Sequence, residues 1–260
     1  MHYLITCCFA LVGTVVLSAQ EKTDYLSRTF VNQGGDTLFY RILLPADYDS
    51  GKRYPMLLFL HGAGERGDDN VSQLIHGSKL FANSQVRAQF PAIVVFPQCP
   101  KTDYWAQMTR NEARTAWSFP FSEQPERAMG LVVQLVEHLK TTEKVDTRRM
   151  YVSGLSMGGM GTFELLARLP GEFAAAVPIC GGGNPLLVPL YAKNTALWIF
   201  HGSADTVVPV ELSQKMAEAA KRAGGKVRYT EYAGINHDSW TPAFSEPDLL
   251  KWLFSQKRKK

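Results

Sequence analysis

Beyond residue 25 the chain alternates short apolar runs with longer segments whose apolar residues recur at helical spacing. Thr37–Leu44 alternates apolar and polar side chains and stops at Pro45, the period of a strand with one covered face. Met56–Leu60, opened by Pro55, and Ala92–Phe96, closed by Pro97, are continuous apolar runs of the kind that strands buried on both faces require. Met150–Val152, Ala174–Ile179, Ala196–Phe200 and Val227–Tyr232 read as further strands. Between them, Leu131, Leu135 and Leu139 share one face of a helix over Arg127–Leu139, with Val132 and Val136 beside them. Thr162–Leu169 is a helix stopped by Pro170 and Gly171, Val210–Ala223 is amphipathic up to Gly224-Gly225, and Asp248–Phe254 is the last helix. Strand alternating with helix predicts the α/β class, a mostly parallel sheet with helices on both faces. In such sheets ligands bind outside the carboxyl ends of the strands, so candidate chemistry is sought just after each apolar run. The least regular stretch, Gln98–Gln124, is rich in aromatic and polar residues and is expected to form a long loop over the site.

The first residues break the pattern. From Leu4 to Leu17 the chain is almost wholly apolar or small, without an amphipathic period, and Lys or Arg first appears at Lys22. The run is short for a bilayer span and suits the hydrophobic region of a signal peptide, with Ser18 and Ala19 supplying small residues at the cleavage zone. The lack of a preceding Lys or Arg departs from the usual signal pattern. The expectation is a signal peptide over 1–19, export, no stable membrane insertion once it is removed, and a single domain over 20–260.

Composition narrows the partners. A chain of 260 residues that is 45% apolar can build one sizeable core, and 20% charged residues exclude a disordered chain. The net charge of +4 owes much to Lys257-Arg258-Lys259-Lys260, expected to be a solvated, frayed tail rather than a nucleic-acid contact. Cys7 and Cys8 would leave with the signal, and Cys99 and Cys180 are expected to be buried free thiols. No ligand-spaced Cys/His cluster, H-E-x-x-H or P-loop is present, so neither a metal nor a cofactor is expected.

Gly154-Leu155-Ser156-Met157-Gly158 fits G-x-S-x-G. An isolated match could be a glycine-rich turn, but here Tyr151-Val152-Ser153 ends a strand and Gly159 to Leu169 can be helical. A nucleophile elbow needs small residues two before and two after the serine, because strand and helix approach closely around a strained turn. Ser156 is therefore the candidate nucleophile, and the amide of Met157, at a helix N-terminus, a candidate oxyanion donor. A serine at its ordinary pKa needs a base. Of the six histidines, His2 lies in the signal, His138 on a helix and His76 in a loop without a visible partner, while His61 and His201 precede glycines after strands and are expected to shape turns. His237 follows the last strand, in Gly234-Ile235-Asn236-His237-Asp238-Ser239-Trp240, and completes the chain order Ser, acid, His. The acid is expected in the turn after Leu197–Phe200, where Asp205 can accept from His237; Asp238 adjoins the histidine and Glu231 lies inside a strand.

The loop after Met56–Leu60, His61-Gly62-Ala63-Gly64-Glu65-Arg66-Gly67-Asp68-Asp69, should give the second oxyanion donor, with the amide of Ala63 favoured and Gly62 and Gly64 as alternatives. The same loop matches the G-x-G-x-x-G dinucleotide fingerprint. The following strand, however, ends in Pro97-Gln98 with no acid for a ribose, so that reading is rejected.

His61 to Asp68, Gly154 to Thr162, Phe173 to Gly183, His201 to Asp205 and Asn236 to Trp240 together resemble the compact, often secreted α/β-hydrolases. Within that group the likeness is to relatives of dienelactone hydrolases, polyhydroxybutyrate depolymerase-like esterases, and feruloyl and acetylxylan carbohydrate esterases. It covers essentially everything after the signal. The resemblance implies an α/β-hydrolase fold and a serine esterase with Ser156, Asp205 and His237 as triad, Ala63 and Met157 as oxyanion donors, and no cofactor. It implies a small-molecule or polysaccharide-linked ester as substrate, without choosing one. Trp105, Trp117 and Trp240 either flank a flat acyl or sugar group or merely pack the loops. A serine peptidase, an acyltransferase or a non-catalytic carbohydrate binder on the same scaffold are the competing readings.

Overall fold

The computed structural model describes residues 24–113 and 115–259, so the segment expected to be a signal peptide, with Cys7 and Cys8, lies outside the described residues. The strands are β1 Leu26–Val31, β2 Thr37–Leu43, β3 Tyr54–Leu60, β4 Ile93–Pro97, β5 Thr109–Arg110, β6 Trp117–Ser118, β7 Val145–Leu155, β8 Ala175–Ile179, β9 Ala196–Gly202 and β10 Val227–Tyr232. The helices are α1 Ser78–Ala82, α2 Ser84–Gln89, α3 Arg127–Thr142, α4 Met157–Arg168, α5 Val210–Arg222, α6 Trp240–Phe244 and α7 Leu249–Ser255. An eight-stranded sheet runs in the order β1-β2-β4-β3-β7-β8-β9-β10. The β1-β2 and β2-β4 pairs are antiparallel, and every neighbouring pair from β4 across to β10 is parallel. This is the α/β-hydrolase architecture.

Strand alternation divides the core in two. Met56, Leu58 and Leu60 of β3 point to the face covered by α3, α4 and α5, where Leu131, Leu135, Leu166 and Met216 pack. Leu57 and Phe59 point to the other face, with Leu249 and Leu253 of α7 and Phe81 of α1. All seven residues of β3 are buried, which is why its sequence shows no polar alternation. Its register shifts between Tyr54 and Met56, where Pro55 has no N–H to give the ladder.

The departures from expectation have local causes. β1 was not marked by any pattern because five of its six residues are exposed on a sheet edge. β7 begins five residues before Met150, its first half disguised by Asp146, Thr147, Arg148 and Arg149. Helices α1 and α2, of five and six residues, are too short to display a period. Within the basic C-terminus Lys257 and Lys259 are exposed, but Arg258 is tied down. Arg258 N–H donates to the Arg148 carbonyl at 2.9 Å, and its guanidinium donates to the Gly171 carbonyl and pairs with Glu172 at 3.5 Å. Among the described residues no helix is long and apolar enough to cross a membrane.

Candidate active site

Ser156 stands between β7 and α4 with φ 54° and ψ −116°, a strained conformation for a residue with a side chain. The strain is held by close packing. Ser156 N–H donates to the Ile179 carbonyl of β8 at 2.9 Å. A Cβ at Gly154 would collide with the Gly158 carbonyl, and one at Gly158 with the Leu60 carbonyl, so strand, turn and helix can approach only because both are glycine. These glycines let α4 begin at Met157, directly after the serine.

The structure brings Ser156, His237 and Asp205 together. Ser156 Oγ lies 2.9 Å from His237 Nε2, and His237 Nδ1–H donates to Asp205 Oδ2 at 2.7 Å. The Asp205 carboxylate is fully buried while the His237 side chain keeps 19% exposure. Burial opposes the charged form of Asp205, but hydrogen bonds from His201, His237 and the Val208 amide outweigh it and hold the carboxyl well below the ordinary range. Asp205 therefore faces His237 as an anion. In this arrangement the serine hydroxyl has an acceptor, and the imidazolium formed on proton transfer has a counter-charge.

The loop after β3 is clamped from beneath. His61 Nδ1–H donates to the Gly62 carbonyl at 2.6 Å, and His61 Nε2 accepts from Cys99 N–H at 2.9 Å. Burial lowers the His61 pKa to about 4, so the ring is neutral with one donor and one acceptor. Because the peptide is planar and trans, holding the Gly62 carbonyl toward His61 aims the next amide, that of Ala63, the opposite way. Ala63 opens a 3-10 turn and Met157 opens α4, so neither N–H has an intrahelical partner. Arg66 fastens the far side, donating to the carbonyls of Ala63, Lys101 and Asp103 with its guanidinium 4.4 Å from the Tyr104 ring. Gln98 adds a buried clamp, donating to Asp69 at 2.7 Å and accepting from Asn70 N–H at 2.7 Å.

The three tryptophans divide. Trp105 is 0% exposed, its indole N–H donates to the His61 carbonyl at 3.1 Å, and its Cβ packs on Gly161 of α4. Of the two readings given for the tryptophans, Trp105, fully enclosed, fits the packing one: it is a strut between the oxyanion-side loop and the elbow helix. Trp117 is partly buried with Met108, Phe119 and Leu212 against Met160 and Val208, which lie four residues after Ser156 and three after Asp205. Trp240 stands 5.4 Å from His237 at 87° and 5.2 Å from His76, whose Nε2 is 3.7 Å from Glu65. His76 therefore has neighbours that its loop sequence did not reveal.

Sequence reasoning also missed His201, whose Nε2 approaches Asp205 Oδ2 at 3.2 Å. The motif His201-Gly202-Ser203-Ala204-Asp205 was the available signal. Cys99 and Cys180 are free and buried. The Cys180, Asp205 and His237 ligand atoms lie within 4.8 Å of one another. Burial raises the Cys180 thiol, however, and disfavours the thiolate a metal would need.

The family model described as Phospholipase/Carboxylesterase matches residues 48–246. The crystal structure of a thermostable esterase is 37% identical, with a TM-score of 0.82 over 90% of this chain and 64% of that one. A bifunctional acetylxylan esterase/xylanase of Neocallimastix patriciarum is 26% identical over 59% of this chain and 20% of its own length. A CE1 ferulic acid esterase from Anaeromyces mucronatus, solved with ferulic acid, shares the fold at a TM-score of 0.63 and 16% identity, over 91% of this chain and 93% of that one. The chain spans 20%, 32% and 27% of the length of the first curated relatives it matches.

Proposed function

This chain belongs to the phospholipase/carboxylesterase family of α/β-hydrolases, and on that premise we propose that it is a serine esterase working through an acyl-enzyme on Ser156. One observation carries the reading: the unbroken hydrogen-bond chain from Ser156 Oγ through His237 to a buried, ionised Asp205. Ser156 Oγ attacks the ester carbonyl carbon as His237 Nε2 takes its proton. The oxygen that becomes negative receives the amides of Ala63 and Met157. Collapse expels the alcohol, which takes the proton from His237. Water, deprotonated by the same ring, then releases the acid and restores Ser156. Asp205 keeps His237 in the Nδ1–H tautomer throughout and stabilises its charged form.

The substrate class we favour is a feruloyl or acetyl ester on plant polysaccharide. Relatives named for acetylxylan and feruloyl esters support it. So do the partly open apolar groups Trp117, Phe119 and Leu212 beside Met160, which suit a small or flat acyl group, and Trp240 beside the base. A panel of methyl ferulate, acetylated xylan, short and long nitrophenyl esters and a chromogenic peptide tests this reading. Turnover of the first two above long-chain esters, with none of the peptide, is expected; preferential peptide cleavage would overturn it. We further propose that residues 1–19 direct export and that 20–260 fold as one exported domain, which supports action on an external polymer. Protein that stayed inside the cell and still began at Met1 would overturn the export proposal.

A further inference from the structure

We propose that His201 is a positioning residue of this site. It fixes the Asp205 carboxylate by donating to the same oxygen that holds His237, and so aligns the base on Ser156. The inference rests on the esterase reading above. His201 lies in β9, four residues before Asp205, and is 0% exposed. Its Nε2 is 2.9 Å from the Val208 carbonyl and 3.2 Å from Asp205 Oδ2. Both neighbours only accept, so Nε2 carries the hydrogen; its hydrogen bond goes to the Val208 carbonyl, with Asp205 Oδ2 as the longer, second acceptor.

The carboxylate is then fully subscribed. Oδ1 accepts from Val207 N–H at 2.8 Å and Val208 N–H at 2.9 Å, while Oδ2 accepts from His237 Nδ1–H at 2.7 Å and from His201. An ionised carboxyl offers about four acceptor positions, and here each has a donor, so neither oxygen can turn away from His237 without abandoning another partner. The Val208 peptide closes the ring from both ends, its N–H on Oδ1 and its carbonyl on His201. His201 is itself held from the other side. Its Nδ1 is 2.7 Å from Ser213 Oγ of α5, whose single hydroxyl hydrogen serves either this nitrogen or the Gly181 carbonyl 2.9 Å away after β8. Ser213 is also fully buried, so the bracing runs from two elements into the acid loop.

Without His201, Oδ2 would keep only His237, and the carboxylate could rotate about the two backbone amides. Asp205 would remain charged and in place, but its aim at His237 would loosen. The titratable and charged groups around His201 are Asp205 with His237 beyond it, Glu231 opposite in β10, and Cys180 at the end of β8, whose thiol feels the Asp205 charge. Each of these is present in every variant below, so they cancel in the comparison.

The test compares wild type with His201→Leu, which removes all three contacts of the ring nitrogens, His201→Gln, which keeps an N–H donor, and Ser213→Ala, which removes the brace. For each variant, folding is checked by thermal melting, kcat and KM are measured on nitrophenyl acetate, and the low-field proton resonance of the His237–Asp205 hydrogen bond is recorded. Expected for His201→Leu is a loss of about 10- to 100-fold in kcat, the range for residues that orient a catalytic group, with KM little changed. Its low-field resonance should be shifted or absent. His201→Gln should recover part of the loss, and Ser213→Ala should show a smaller loss of the same kind. A folded His201→Leu protein with wild-type kcat and resonance overturns the proposal. If that variant does not fold, unchanged kcat and resonance in both His201→Gln and Ser213→Ala overturn it. Fluorophosphonate labelling separates the two levels. Wild type that does not label removes the esterase reading itself, whereas variants that label as fast as labelled wild type remove only the role of His201.

Discussion

Acidification should loosen the oxyanion-side loop through His61. The ring is 1% exposed, and burial lowers its pKa from the ordinary 6.5 to about 4. Its Nε2 accepts from Cys99 N–H, so a proton added there would set two N–H groups face to face. The folded pKa lies below the unfolded one, so between these values the unfolded chain binds the extra proton. Stability is therefore full above pH 6.5 and falls as pH drops toward 4. The slope is at most about 1.4 kcal/mol per pH unit, and the whole shift corresponds to about 3 kcal/mol. Urea unfolding of wild type and His61→Gln, followed by tryptophan fluorescence at a series of pH values, isolates this contribution because the other titrating groups cancel in the difference. The glutamine oxygen can still accept from Cys99 N–H but loses the bond to Gly62, so the variant should be less stable at neutral pH by about 1–3 kcal/mol. As pH falls to 4 the difference should shift by about 3 kcal/mol against wild type, closing or reversing that gap. A gap that stays constant across the range would refute the assignment of His61 as a buried neutral clamp.

Further outcomes follow from the same geometry. Asp205→Asn should lower kcat by on the order of 10³- to 10⁴-fold, because an amide nitrogen facing His237 would impose the wrong tautomer; steady-state kinetics on a folded variant check it. Trp105→Ala should cost about 3–5 kcal/mol of stability in urea unfolding, as expected for emptying a fully buried indole site, whereas Trp105→Phe should cost less and leave KM near wild type. Trp240→Ala should raise KM for feruloyl or sugar esters more than for nitrophenyl acetate, by about 5- to 10-fold for a lost aromatic contact of about 1 kcal/mol. Equal KM changes on all esters would remove Trp240 from substrate recognition.

Much of the fold was legible because the central strands are buried on both faces and so appear as unbroken apolar runs, such as Met56–Leu60 and Ala196–Phe200. Edge strand β1, largely exposed, carries no such mark. The candidate site was legible in its residue types because Ser156, Asp205 and His237 each follow an apolar run, where an α/β sheet gathers its chemistry. What the sequence could not carry was side-chain reach between distant segments. His61 and Cys99 are far apart in the chain, as are His201 and Ser213, and no periodicity joins them. Aromatic content likewise drew attention to Trp105 without distinguishing an enclosed strut from an open platform. One residue of the basic tail departs for the converse reason: consecutive cations look solvated, as Lys257 and Lys259 are, yet Arg258 finds its partners in Arg148, Gly171 and Glu172.

The central claim is that Ser156 is a nucleophile activated through His237. Treating the folded protein with a fluorophosphonate and locating the adduct by peptide mass spectrometry tests it most directly. A stoichiometric adduct on Ser156, lost in Ser156→Ala and strongly slowed in His237→Ala, is the predicted result. Folded wild-type protein that does not label, or that labels equally fast without His237, would contradict it.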